Sequence, residues 1–228
     1  MSVPAAIIAD RATFIRANTR LFAPRLVPEI RLHQADALVP LWRATEPDLA
    51  VLGLPPPYWA FAWAGGQALA RHVLDHREIV AGKRVLDLAA GSGLVAIAAA
   101  KAGAAPVIAA DIDAFTEAAI ALNAEANDVY VEIITQDLLD RPVPDTPRYD
   151  VILVGDLFYE RDTAARTLAF LERHAVIGTR VLIGDPGRTY LPKERLTRLA
   201  EYAVPVTREL EDLEIKRTTV WELVPRPA

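Results

Sequence analysis

Arg84-Val85-Leu86-Asp87-Leu88-Ala89-Ala90-Gly91-Ser92-Gly93-Leu94-Val95 joins a short apolar run to an alanine-rich stretch through a turn of small residues. An apolar run, a glycine turn and then residues 94–101 in helical pattern make a strand–turn–helix unit. Gly91 and Gly93 give the backbone freedom and let a ligand lie against the main chain. The helix that follows points its free N–H groups toward the same crevice. Dinucleotide-binding turns carry Gly-x-Gly-x-x-Gly, but Ala89 and Ala90 stand here in place of the early glycine. Asp87 at the strand end would repel a pyrophosphate and suits a cationic group instead.

Downstream of this unit, apolar runs and amphipathic stretches alternate. Extended segments are expected at 84–88, 106–110, 131–135, 149–154 and 180–183, with helices at 94–101, 114–126 and 160–174. A further helix is expected over 192–202, followed by extended runs at 204–210 and 218–224. Strands alternating with helices imply an α/β fold, a buried parallel sheet with helices on both faces. The two closing runs, with no helix between them, predict an antiparallel final strand pair. Upstream, residues 5–21 are loosely helical, and 30–41 read as an extended segment or irregular cap. Pro55, Pro56 and Pro57 interrupt regular structure, and a helix is expected over 67–76. Residues 1–55 therefore read as an N-terminal extension packed on a core domain at 56–228.

The chain has 228 residues, 52% of them hydrophobic, enough for one sizeable core and too many for wholesale disorder. Its net charge of −5 supplies no global field for phosphates, and no basic run stands out, so nucleic acid is not expected as a partner. With no cysteine, disulfides, thiolate catalysis and cysteine metal sites are excluded. Of the four histidines only His72 and His76 share a helical spacing, and they lack the glutamate of a metalloprotease pair. They read as a solvated helix face, and no metal is expected. The first ten residues lack a basic region followed by a long apolar one, and no run approaches a bilayer span of roughly 20 residues. A soluble, cytoplasmic protein, monomeric and without a membrane partner, is expected.

Two more acids follow the glycine turn. Asp111 ends the second apolar run, where nucleotide-binding sheets place an acid on the ribose hydroxyls. Asp113 reads equally as a second ligand or a helix cap. Asp137, in Gln136-Asp137-Leu138, suits an adenine amino group with Leu138 on the ring, or is simply a loop acid. Together these elements resemble the seven-β-strand, S-adenosylmethionine-dependent methyltransferases, across roughly residues 59–223. The resemblance implies a Rossmann-like seven-stranded sheet with S-adenosylmethionine as cofactor. Asp87, Gly91 and Gly93 would face its methionine and ribose portion and Asp111 its ribose. Ala89 and Gly155 would line the same crevice.

Gly155-Asp156-Leu157-Phe158-Tyr159 ends the third central strand, on the same side as the glycine turn. The spacing Asp-x-x-Tyr at that edge resembles the lysine-methylating branch of the family. DNA, glutamine and adenine N-methyltransferases often carry two prolines where Leu157 and Phe158 stand, so amide and base nitrogens are disfavoured as acceptors. Pro57-Tyr58-Trp59-Ala60-Phe61-Ala62-Trp63-Ala64-Gly65-Gly66-Gln67, with the Asn123/Asn127 pair, is similar to lysine methyltransferases of the electron-transfer flavoprotein β-subunit. By that resemblance Trp63 contacts the cofactor and Trp59 sits near the acceptor pocket; both indoles otherwise read as cover for the sheet edge.

The chemistry accounts for the residue types. Methyl transfer from a sulfonium needs positioning more than acid–base machinery. A lysine amine of pKa ~10.4 is neutral only about once in a thousand near pH 7.4. A carboxylate favours the ammonium, so Asp156 is assigned to capturing and aiming the amine rather than to acting as a strong base. Its alternative is an N-cap of the 160–174 helix. Tyr159 would add a hydrogen bond or an aromatic wall, and Phe158 and Trp59 a cation–π cage. Arg188, after Gly184-Asp185-Pro186-Gly187, marks a loop where a protein substrate would dock. Open alternatives are another protein such as a ribosomal one, a small amine, an NAD-dependent oxidoreductase, or a binding module that has lost turnover.

Overall fold

In the computed structural model, which describes residues 10–35, 56–142, 146, 148–206 and 215–225, a helix and a small strand pair precede the main sheet. Helix α1, Arg11–Asn18, starts at Asp10, whose side chain accepts from the Thr13 N–H. Strands β1, Arg20–Phe22, and β2, Leu32–Gln34, pair antiparallel. The core then alternates α2 (Ala64–Asp75), β3 (Val85–Leu88), α3 (Leu94–Lys101), β4 (Val107–Asp111), α4 (Ala114–Ala126) and β5 (Glu132–Thr135). It continues with β6 (Val151–Gly155), α5 (Arg161–Val176), β7 (Arg180–Asp185), β8 (Leu196–Pro205) and β9 (Ile215–Leu223).

The seven-stranded sheet runs β5-β4-β3-β6-β7-β9-β8. Strands β3 to β7 are mutually parallel, and β9 lies antiparallel between β7 and β8. The winding direction reverses between β3 and β6. That is the switch point where open α/β sheets hold ligands, at the carboxyl ends of the strands.

Period-two alternation builds two cores from the same strands. Val85, Val107, Ala109, Val151, Leu153 and Leu182 face α2, α3 and α4, packing on Leu69, Val73, Ile97 and Ile120. Leu86, Ile108, Ile152, Val154, Val181 and Ile183 face the other way, onto Phe170 and Leu171 of α5. Strands buried on both faces read as unbroken apolar runs, which is why the α/β order was visible in the sequence.

The segment before the core is seated on α4. Ile15, Trp59 and Phe115 share a small apolar cluster. Asn123, fully buried, accepts from the His33 N–H at 2.7 Å and donates to the Ser92 carbonyl at 2.8 Å. Asn127 accepts from the Arg31 N–H and donates to the Arg31 carbonyl. The asparagine pair thus ties β2 to the glycine turn.

The structure corrects three expectations. Residues 192–202 are not helical: a single 3-10 turn, Lys193–Arg195, leads into β8. The bulge between Arg198 and Ala200 breaks the alternation, so Leu196, Leu199 and Tyr202 mimic helical spacing. His72 is not solvated: it is 5% exposed, with Nδ1 3.1 Å from the Tyr202 hydroxyl. Asp156 does not cap α5, whose N-cap residue is Glu160. Expectations over 1–9, 36–55 and 207–210 lie outside the described residues. Among the described residues no helix is long and apolar enough to cross a membrane.

Candidate active site

A crevice with about 360 Å³ of empty space, open solvent included, lies at the switch point. Asp87 and residues 89–92 of the turn line one wall, Gly155 and Asp156 another, with Trp63, Phe61 and Gly66 beside them. Gly93 has φ +78°, and a Cβ there would press on Ile120 of α4, so both backbone and space demand glycine.

Asp87 is 2% exposed, and one carboxylate oxygen accepts from the Ala96 N–H in α3 at 2.8 Å. Burial pushes its carboxyl up to about 8, with the Asp111 charge adding to the rise and the Ala96 N–H opposing it. No cationic side chain among the described residues pairs with it. Asp111 serves the turn from outside: Oδ2 accepts from the Gly91 N–H at 2.9 Å and Oδ1 from the Asp113 N–H at 3.0 Å. Asp113 is the N-cap of α4, accepting from the Phe115 N–H.

Ala89 and Asp156, at φ +56° and +57°, are non-glycine residues in the left-handed region, one on each side of the switch point. Such strain collects at functional sites. Asp156 is 8% exposed. Its Oδ2 accepts from the Gly66 N–H at 3.1 Å, and its Oδ1 receives the Arg188 guanidinium, Nη2 at 2.9 Å and Nε at 3.3 Å. Burial pushes this carboxyl up to about 6, against the pull of Arg188. The Asp156 N–H donates to the Gly184 carbonyl, fixing the residue to β7.

Tyr159 is half-exposed, its ring 6.1 Å from that of Tyr58. Trp63 contacts the same Tyr58 ring, and its indole N–H donates to the Tyr58 carbonyl. The other aromatic expectations are corrected. Trp59 is 2% exposed and stacks on Phe115 at 5.8 Å, holding the N-terminal segment to α4 rather than lining an acceptor pocket. Phe158 is wholly buried in the α5-facing core and offers no ring face to a substrate. Asp137 is likewise kept from the crevice: it accepts from the Leu139 N–H and pairs with Arg166, while Leu138 is buried in the core.

The residues that sequence reasoning missed are glycines of α2 and β7. A Cβ on Gly65 would fall on the Gly184 carbonyl oxygen, and one on Gly184 on the Gly65 carbonyl. Gly155 is constrained less severely, its Cβ lying 3.0 Å from Gly66 Cα. The start of α2 thereby reaches the strand ends and hands the Gly66 N–H to Asp156. The signal was the recurrence of glycine at the ends of both β6 and β7.

The chain is 38% identical over 219 residues to an electron transfer flavoprotein beta subunit lysine methyltransferase from Xenopus laevis, covering 93% of this chain and 87% of that one. This chain belongs to that lysine methyltransferase family. The Homo sapiens member is 36% identical over 219 residues, covering 93% of this chain and 81% of the other. A family model described as ribosomal protein L11 methyltransferase (PrmA) matches residues 67–157, the segment from α2 to Leu157. The crystal structure of ribosomal protein L11 methylase from Lactobacillus delbrueckii subsp. bulgaricus shares the fold. It gives a TM-score of 0.51 at 20% identity, over 73% of this chain and 81% of that one. Within the lysine methyltransferase family, the glycine turn and Asp156 occupy the two walls of one crevice in this member.

Proposed function

We propose that this chain transfers methyl groups from S-adenosylmethionine to a lysine amine of the electron-transfer flavoprotein β-subunit. The observation that carries the reading is the buried Asp156 carboxylate, which shares one crevice with Asp87 and the glycine turn. Relatives named for that substrate are 36–38% identical and covered over 81–87% of their own length, whereas a ribosomal protein L11 methyltransferase that aligns along 97% of this chain is 31% identical and covered over 69%.

The residues present fit a cationic adenosyl donor. Asp87 is a desolvated carboxylate in the crevice wall that has no cationic side-chain partner among the described residues, and a sulfonium or ammonium group would supply one. The bound donor supplies a methyl carbon on a sulfonium. The chain contributes position. Asp111 fastens the turn through the Gly91 N–H, and Asp87 sets the negative charge beneath it. Asp156 accepts an N–H of the acceptor amine and turns its lone pair toward the methyl carbon. A bound donor would supply that carbon to the amine nitrogen, the C–S electron pair going to sulfur, while Asp156 would hold the amine in line. The methylated ammonium would give up its extra proton to solvent before a further round. Tyr159 and Tyr58 wall the approach. Residues 1–55 as an extension on a 56–228 domain, a cytoplasmic and monomeric enzyme, and no nucleic-acid or membrane partner belong to the same proposal; the packing of Ile15 and His33 on α4 supports the first and the −5 net charge the absence of nucleic acid.

The test is label from methyl-labelled S-adenosylmethionine on the purified flavoprotein β-subunit, with the modified residue read by mass spectrometry. Label on lysine is expected. Label confined to a ribosomal protein or a small amine would replace the substrate, and none on any acceptor would end the reading. Asp156→Ala is expected to lower kcat by about a hundredfold or more while donor affinity stays within a few-fold, since misaim alone has that effect.

A further inference from the structure

Arg188 is built into the site with more structure than a surface docking loop requires. Its guanidinium meets Asp156 Oδ1 through both Nη2 and Nε. Its own N–H and that of Gly187 are held by Oδ1 of Asp185, at 2.7 and 2.6 Å. Asp185 is 1% exposed, and its Oδ2 is buried without a hydrogen-bond partner among the described residues. One buried acid at the end of β7 thus clamps the loop that delivers the cation to a second buried acid at the end of β6.

The arrangement answers a conflict in the chemistry. An amine attacks only when neutral, yet a bare carboxylate beside it stabilises the ammonium. A carboxylate already paired with a guanidinium keeps lone pairs for an N–H while its charge is largely cancelled. Oδ2, which holds the Gly66 N–H, has that capacity.

We propose that Arg188 is a positioning residue that keeps Asp156 an ionised hydrogen-bond acceptor while cancelling its charge, so that the lysine amine is held in its neutral form. This rests on the proposed amine acceptor. The groups that face the pair are Asp185 from β7, with Lys193 acting on it, and Tyr159, Tyr58, Glu160 and Asp111 around the mouth. Asp87 stands across the crevice on β3. Among these, Arg188 is the cation bonded to Asp156.

The experiment is the pH profile of kcat at saturating donor and protein acceptor, which reports ionisation within the complex. It compares wild type, Arg188→Gln and Arg188→Lys. Removing a unit charge ~6 Å from the amine, at an effective dielectric near 20, is expected to move the acid limb up by about one to two pH units. Arg188→Gln therefore loses about tenfold or more at neutral pH and recovers near pH 10, with donor affinity unchanged. Arg188→Lys keeps the wild-type limb even where its maximal rate falls. A Gln profile that coincides with wild type, or a Lys profile displaced as far as Gln, overturns the inference; thermal melts establish that each variant is folded. Carboxyl NMR of Asp156, assigned by comparison with Asp156→Asn, gives a readout free of the acceptor: its titration is expected at higher pH in Arg188→Gln. If wild type labels no protein lysine, the functional reading alone fails. An unmoved Asp156 titration in Arg188→Gln still overturns the pairing.

Discussion

Asp87 carries the sharpest consequence available to a single side chain. Burial holds its proton to about pH 8 in the folded protein, while the ordinary value is 3.8. The folded state then binds more protons than the unfolded one between those values, so stability falls as pH rises through that window. A cationic donor seated beside Asp87 has to expel this proton. Donor affinity is therefore expected to climb with pH, by up to about tenfold per unit, and to level off above about pH 8. Calorimetry in buffers of different ionisation enthalpy counts the released proton directly. Asp87→Asn should abolish both the release and the slope; pH-independent binding by wild type would refute the account. Asp87 was legible in the sequence because a strand-end acid before a glycine turn is a local pattern. The misplacement of Trp59 and Phe158 has a different origin, because an aromatic beside a motif looks the same whether its ring meets ligand or core.

Among the elements, α2 comes nearest to the ends of β6 and β7 where glycine faces glycine. Gly184→Ala would drive a methyl into the Gly65 carbonyl, which is backbone, and the Leu69 Cβ, which is not the end of a flexible side chain. Denaturant melts should show a loss of about 3 kcal/mol or more, at the upper end for overpacking. Gly66→Ala meets only Val95 Cγ2 at 3.9 Å and lies within the helix, so it should be neutral or gain up to about 1 kcal/mol. Equal losses at both positions would show that close approach is not the constraint. Strands β3, β4, β6 and β7 were readable because double burial leaves unmistakable apolar runs. Strand β8 was not, for a single reason. The bulge at Arg198 and Ala200 sends Leu196 to the α5-facing core and Leu199 with Tyr202 to the opposite one, and a period of three to four results. Contacts such as Gly65 with Gly184 join residues more than a hundred positions apart and leave no local periodicity.

At the scale of the whole molecule, the sheet sets a gradient of protection. Strands β3 and β6 are paired on both sides and buried on both faces, whereas β5 and β8 each have one neighbour. Native-state hydrogen exchange is expected to free β5 and β8 amides first and to release β3 and β6 only at the global free energy. Uniform exchange across the sheet would contradict this. The position of β9 has one further effect. It follows β8 in the chain yet lies between β8 and β7 in space, so β8 has no place in the sheet until β9 arrives. A nascent polypeptide whose β9 is still inside the ribosome must therefore wait with the flank of β7 open, a sticky ledge for any other extended peptide, and its closure is a step that translation alone does not accomplish.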